Sequence, residues 1–472
     1  MKTRYLLVVC VLFVLADLGC TFVQYNRMVL DGDLTAIVLP APHYAAVLHD
    51  PFGWAVLAKN EVYAAPNRFF AHASMAAYFR LVPGWLHAFL TPIASLYAAA
   101  AIFSVLVQAL LLYVLAVYAT GTGQLSSWRL WLVMALLAPF FQAQGYAGEM
   151  AIIPQAISYT FFYPWPLLLL LVWLLPFYRL AQGQPWRLSA LGMVASLGLL
   201  LVLAFNGPII PGVVAVLLLG IGVRRLSQRA GGPAPLVPHW QPALLLALLG
   251  LLCAYSLYIG RNNAENLEHT RTLWERYQLL PMGVFKQLTG KLGMPLLVVV
   301  CLGNAYLLRR WAAPTPENRR IRLVLRWVGW FALAYVLLLP LGGYRTYRPY
   351  LLRFDSISPI TLGLIFFYAL SACYLLQNLA GRARIAYAVG VAAVFFVYAN
   401  ADRKLQVADG NDCERAALTQ LAWAPANQPV VHLDQNCTVL SWNLITDPAT
   451  SATNAAMLEQ WGITQGSKQY YH

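Results

Sequence analysis

From Arg4 onward, long apolar runs alternate with shorter polar breaks. The first run, RYLLVVCVLFVLADLGCTFV, follows Lys2 and contains Arg4 near its start. Its length of about twenty mostly apolar residues is enough to span a bilayer. A cleaved signal peptide needs a shorter apolar stretch and a small-residue cleavage site, and GCTFVQY is a poor one. ADLGC only loosely resembles a lipoprotein box, so the segment reads as a retained anchor helix. Further runs lie near 93–118, 128–143, 158–178, 188–205, 208–223, 241–260, 293–308, 324–341, 358–379 and 384–400. Together they predict an all-α polytopic membrane protein with about eleven transmembrane helices over residues 1–400.

Composition supports that pattern. The chain is 60% hydrophobic and only 11% charged, with a mean hydropathy of +0.61, whereas soluble domains carry about 25% charged residues. The net charge of +14 is explained by Lys and Arg that set topology, without nucleic acid as a partner. With the N-terminus cytoplasmic, the inside loops include YRLAQGQPWR, RRLSQRAGGPAPLVPHW, RRWAAPTPENRRIRLVLR and GRAR, all basic. The odd number of spans then places residues 401–472 outside, as a small α/β extracytoplasmic domain. Its expected elements are helices at DCERAALTQLAW and SATNAAMLEQWGI and strands at PVVHLD and TVLSW. Cys413 and Cys437 fall in this polar region and suit a disulfide in an oxidising compartment. The other five cysteines lie in apolar runs, where Cys packs as a small hydrophobe.

The outside loops are larger than connectors need to be. They cover residues 24–92, 144–157, 261–292 and 342–357, and loops of that size usually carry function. In the first, NRFFAHASMAAYFRLVPGWLHAFL reads as a helix lying in the interface with aromatics toward lipid. In the last, GGYRTYRPYLLRFDSISP puts Arg345, Arg348 and Arg353 on the face where few positive charges are expected. AFNGPIIPG reads as a tight outside turn, and YTFFYPWPLLLL brings two prolines to the entrance of a span. Asp17, within the first span, has to face protein, with a hydrogen bond between helices as its plainest role.

Candidate chemistry concentrates on the outside. Asp31 and Asp33 in LDGDLTAIVLP open the first loop, Asp50 follows, and Glu149 lies in the second. Converging acids of this kind serve as general base and orienting group; the plainer alternative is that Asp31 or Asp33 caps the next helix and Glu149 meets a loop Arg. Arg345, Arg348 and Arg353, interleaved with Tyr344, Tyr347 and Tyr350, suit a phosphate or diphosphate, which Arg grips in forked pairs. The plainer alternatives are anionic lipid headgroups or an Arg353–Asp355 salt bridge. A divalent metal on His43 or His49 with Asp50 is a weaker alternative. No GxxxxGK[ST], GxSxG or HExxH motif is present.

One helix, an immediate acidic motif, a long first outside loop, about ten more spans and a trailing outside domain together resemble the GT-C superfamily of membrane glycosyltransferases. The resemblance rests on architecture more than motif, and no WWD-type motif follows the last helix. It implies transfer of a sugar from a polyprenyl-phosphate-linked donor, with inversion, to a glycan, lipid or protein acceptor on the outer face of the cytoplasmic membrane. In its terms Asp33, or Asp31, is the catalytic base, Glu149 the second acid, and Arg345, Arg348, Arg353 and Tyr347 hold the lipid phosphate. The rival classes are a transporter or flippase of a lipid-linked or anionic solute, and a non-catalytic subunit of an envelope complex. No internal repeat of the kind common in transporters is visible.

Overall fold

A computed structural model describes residues 2–143, 150–229, 240–266, 271–404 and 410–472. The chain is a multi-span helical membrane protein. Among the described residues nine helices are long and apolar enough to cross a membrane: Thr3–Asn26, Pro92–Thr120, Ile157–Ala181, Ile209–Leu226, Trp240–Gly260, Gly293–Arg310, Pro316–Gly342, Ser358–Asn378 and Gly381–Asp402. Two further expected spans are present as shorter apolar helices, Trp128–Phe140 and Ala190–Ala204. At 1.5 Å per residue each is about 20 Å long, short of the ~30 Å hydrocarbon core. Pro139 tightens the end of the first into a 3-10 turn, and the Asn206–Gly207–Pro208 turn stops the second.

Hydrogen bonds between helix ends sort them into two sets. At one end, here the head end, Tyr25 reaches the Ile153 carbonyl (3.2 Å), and the Gly207 N–H reaches the Asn67 carbonyl (2.9 Å). There too Asn262 donates to the Glu61 carbonyl (3.0 Å). At the opposite end Tyr178 donates to the Tyr118 carbonyl (3.0 Å) and receives Arg320 (3.0 Å), while Thr315 meets Tyr374 (2.7 Å). That second end carries Arg129, Arg179, Arg309, Arg310, Arg319, Arg320, Arg382 and Arg384. It is the basic end.

The first long loop folds back onto the bundle as short helices, Asp33–Val38, Pro42–His49 and Trp54–Lys59, followed by Phe69–Leu86. The last was expected to turn its aromatics to lipid, and the structure corrects this. Its His72, Met75 and Phe79 are buried, spaced at helical period, and Tyr78 and Phe79 join Phe103 and Phe161 in one ring cluster. Burying that stripe against the Pro92–Thr120 helix removes more apolar area from water than a half-immersed helix would. Trp85 and Leu81, on the other face, stay exposed. In the loop 261–292, Leu273–Thr289 forms a helix started by a Thr272/Glu275 capping box.

The C-terminal segment has the expected helices, Asp412–Trp423 and Ala452–Gln460, and the disulfide Cys413–Cys437. One expected strand is real: Val430–His432 pairs in parallel with Gln469–Tyr471. TVLSW is not a strand. Its backbone is spent on side chains instead: the Leu440 N–H goes to Glu414 (3.1 Å), the Leu440 carbonyl to Asn454 (3.2 Å) and the Val439 carbonyl to Tyr470 (2.6 Å). Asp17 does lie against protein, but its buried Oδ2 has no hydrogen-bond partner among the described residues, so the expected interhelical bond from that atom is not made.

Glu414 joins this segment to the membrane module. Its carboxylate accepts the Leu30 N–H (2.9 Å), the Tyr97 hydroxyl (2.8 Å) and the Leu440 N–H. Glu414→Ala strands three donors, two of them main-chain, in a buried setting. The expected result is a loss of about 3 kcal/mol or more, seen as a lower unfolding midpoint in detergent and earlier proteolysis after residue 410.

Candidate functional site

The site is built where Asp31–Gly32–Asp33 leaves the first helix at the head end. Asp31 is fully enclosed, and both its oxygens accept main-chain donors: Asp33 N–H (3.1 Å) and Ser158 N–H (3.0 Å). It thus ties the first helix to the start of Ile157–Phe162. Burial, then the neighbouring Asp33 charge, push its carboxyl up to about 6 against those N–H groups. The capping alternative describes Asp31 well. It is a structural acid.

Asp33 differs. One oxygen accepts the Trp442 indole N–H (3.1 Å), and the residue stays partly accessible. Burial pushes its carboxyl up, the Trp442 N–H pulls it down, Glu265 adds to the rise, and Arg68 and His43 oppose it. Gly32 makes this contact feasible. A Cβ there would lie 2.7 Å from both Cδ1 and the backbone nitrogen of Trp442.

From Trp442 an aromatic and cationic wall continues across the head end. Trp442 packs on Tyr159 (centroids 5.7 Å). Arg353 lies over Tyr159 (5.0 Å) and over Tyr347 (4.9 Å), and Arg348 over Tyr347 (5.2 Å). Arg348 also donates to the Tyr163 hydroxyl (2.5 Å). The Tyr163–Pro164 break separating Ile157–Phe162 from Pro164–Ala181 aims Tyr159 and Tyr163 at these arginines. The prolines of YTFFYPWP therefore shape the wall as well as the span.

The three expected arginines are not an open cradle. Arg345 pairs with Glu265 (3.3 Å) and hydrogen-bonds Asn266. Arg348 (3.3 Å) and Arg353 share Asp355, whose side chain has 0% exposure. Burial pushes the Asp355 carboxyl up, but Arg348 and Arg353 outweigh it and hold it below the usual range. The Arg353–Asp355 alternative is thus present, extended to a triad. Tyr347 lies against both triad arginines and is 51% exposed.

Arg68 was missed. It sits at the start of Phe69–Leu86, its guanidinium over Phe162 (4.6 Å), within electrostatic reach of Glu265, Tyr347, Arg348 and Asp33. Its Nε is buried without a partner, and among the described residues the guanidinium makes no hydrogen bond or ion pair. The adjacent Asn206 amide is buried with both polar atoms unpartnered. Half-buried over an aromatic face and without an ion-pair partner among the described residues, the Arg68 guanidinium is available to meet an anion in forked geometry. The same charge, after burial, drives neighbouring His72 down to about 3, so His72 is neutral. The visible signal was a third cation on an outside loop.

Glu149 lies outside the described residues, with the rest of 144–149. The metal alternative finds no support in the geometry. Asp50 is consumed as a helix cap, accepting Trp54 N–H (2.7 Å), Ala55 N–H (2.8 Å) and the Tyr63 hydroxyl (2.9 Å), and the His43 ring packs at a tilt against Tyr44 (4.2 Å). Among the described residues no group of three or more His, Cys, Asp or Glu side chains is placed to hold a metal ion.

No protein-family model, curated protein or solved structure matches this chain. The reading of the site rests on its own chemistry.

Two expectations follow. Arg68 has no hydrogen bond or ion pair to lose among the described residues, whereas removing the acid of a buried triad strands two arginines. Arg68→Gln is expected to unfold at or above the wild-type temperature and Asp355→Asn to lose about 3 kcal/mol; equal destabilisation of both in thermal melts would contradict this. The second concerns pH. The folded pKa of Asp31, about 6, and that of Glu414, about 7, both lie above the ordinary range of roughly 4. Their contribution to stability is complete below that range and is lost as pH rises through the folded values. The unfolding midpoint should therefore fall as pH rises from about 4 to about 7, and Asp31→Asn should flatten the acidic part of that fall.

Proposed function

We propose that the protein is a membrane glycosyltransferase that takes a sugar from a polyprenyl-phosphate-linked donor at the head end of its bundle. The observation that carries this reading is the placement of Asp33, an accessible carboxylate held by Trp442, facing a wall that contains the unpaired Arg68. In this reading the acceptor O–H gives its proton to Asp33 while its oxygen attacks the anomeric carbon from the face opposite the phosphate. The carbon–oxygen bond to phosphate breaks, and the leaving phosphate takes the bonding electrons. Arg68, with Arg348 beside it, offsets the charge that develops there. Asp31 holds the loop that carries Asp33, and Tyr347, Tyr159 and Trp442 offer aromatic faces for the sugar and the lipid carrier.

The same reading places the basic end in the cytoplasm, by the positive-inside rule, and the head end with residues 410–472 outside. Trp128–Phe140 and Ala190–Ala204 then complete eleven alternating passes, counted as the nine long helices and these two. Each starts near the basic end and finishes near the head end: Phe140 packs on Tyr398, and Phe205 accepts the Phe70 N–H. The disulfide fits the oxidising side.

The test uses purified full-length protein, undecaprenyl-phosphate-linked hexose and pentose donors, and a membrane extract as acceptor source. Asp33→Asn is expected to lower transfer by about a hundredfold or more, and Arg68→Gln to weaken donor use with a smaller effect on folding. Wild-type transfer by a well-expressed Asp33→Asn protein, or no transfer with any donor, would sink the proposal.

A further inference from the structure

The last membrane helix, Gly381–Lys404, lies at the edge of the bundle, with Phe395 on Phe13 and Tyr398 on Phe140. It touches Gly293–Arg310 at two hydroxyls: Tyr387 donates to Asn304 (3.0 Å) and Tyr398 to the Gly293 carbonyl (2.8 Å). Along the rest of the helix pair lies a groove of about 400 Å³, walled by Val300, Leu307, Leu379 and Val394 and by the backbones of Gly303 and Gly390. Its size is that of a small-molecule site. An apolar groove open sideways in a membrane holds hydrocarbon, not water.

The mouth of the groove gives the hydrocarbon an identity. Trp311 and Ala383 line it at the basic end. Trp311 follows Arg309 and Arg310, and Ala383 lies between Arg382 and Arg384. All four arginines are exposed, and none has an ion-pair partner among the described residues. We infer that the groove is a binding site for one anionic glycerophospholipid, an acyl chain lying between the two helices and the phosphate held by arginines at the mouth. Each Lys or Arg near the membrane surface favours an anionic headgroup over a zwitterionic one. A second copy of this chain would bring its own arginines against these four, which disfavours it as occupant. The lipid fills the space between the last helix and Gly293–Arg310 that side chains leave open. This site is remote from Asp33 and does not depend on the transferase reading.

Gly390 supplies a clean probe, because a Cβ added there meets nothing within 4 Å and the change favours helix. Gly390→Leu therefore folds and fills the groove. The protein is purified from nanodiscs holding dioleoylphosphatidylglycerol and dioleoylphosphatidylcholine in equal amounts, and retained lipid is counted by native mass spectrometry. Wild type is expected to retain phosphatidylglycerol preferentially. Gly390→Leu, and separately the pair Arg382→Gln with Arg384→Gln, should each lower that retention by about tenfold, with melting temperatures confirming folded protein. The proposal fails if Gly390→Leu retains phosphatidylglycerol like wild type, or if phosphatidylcholine is retained equally. It fails too if wild type is a dimer that Gly390→Leu dissociates.

Discussion

The head end of this protein depends on a buried carboxylate that accepts two main-chain N–H groups. Asp31 joins the end of the first membrane helix to the start of Ile157–Phe162, and with Trp442, which touches both, it sets Asp33 relative to Tyr159. Irregular backbone at the edge of a membrane domain leaves donors that water does not reach, and each must find an acceptor. Glu414 solves the same problem for Leu30 and Leu440. Asp355 does so for the Ser356 N–H (2.6 Å) while also neutralising two arginines. Three acids that look alike in sequence to a catalytic group are structural cement.

That sorting leaves one acid and one base with spare capacity. Asp33 is committed to Trp442 through one oxygen, and Arg68 carries a charge with no partner among the described residues. Electrostatically the pair is the open part of an otherwise closed network. An anion brought to Arg68 would meet a guanidinium whose hydrogen-bonding capacity is unspent among the described residues.

The C-terminal segment is part of this arrangement rather than an appendage. Trp442 reaches Asp33, Trp461 donates to the Phe79 carbonyl (2.9 Å), and Asn411 holds the Asn26 carbonyl (3.0 Å). Its fold serves these contacts. The left-handed conformation of Leu440 (φ 47°) and the absence of a strand at TVLSW present Trp442 to Gly32, where there is no Cβ to obstruct it.

The chain's own pattern determined the helices, the bundle's basic end, the C-terminal disulfide and the neighbourhood of the site, because these follow from local apolar length, loop charge and cysteine placement. Two helices came out shorter than their apolar runs, since proline and the Asn206–Gly207–Pro208 turn stop a helix before hydrophobicity does. Only tertiary structure decided which residues of the site are free. Asp31 and Asp33 are two positions apart and chemically identical, and Arg68, Arg345 and Arg353 are the same cation; what separates them is whether a distant partner has already satisfied them. Such partners, Ser158 for Asp31 and Trp442 for Asp33, lie far along the chain, and no local pattern encodes a contact that exists only after the helices have packed.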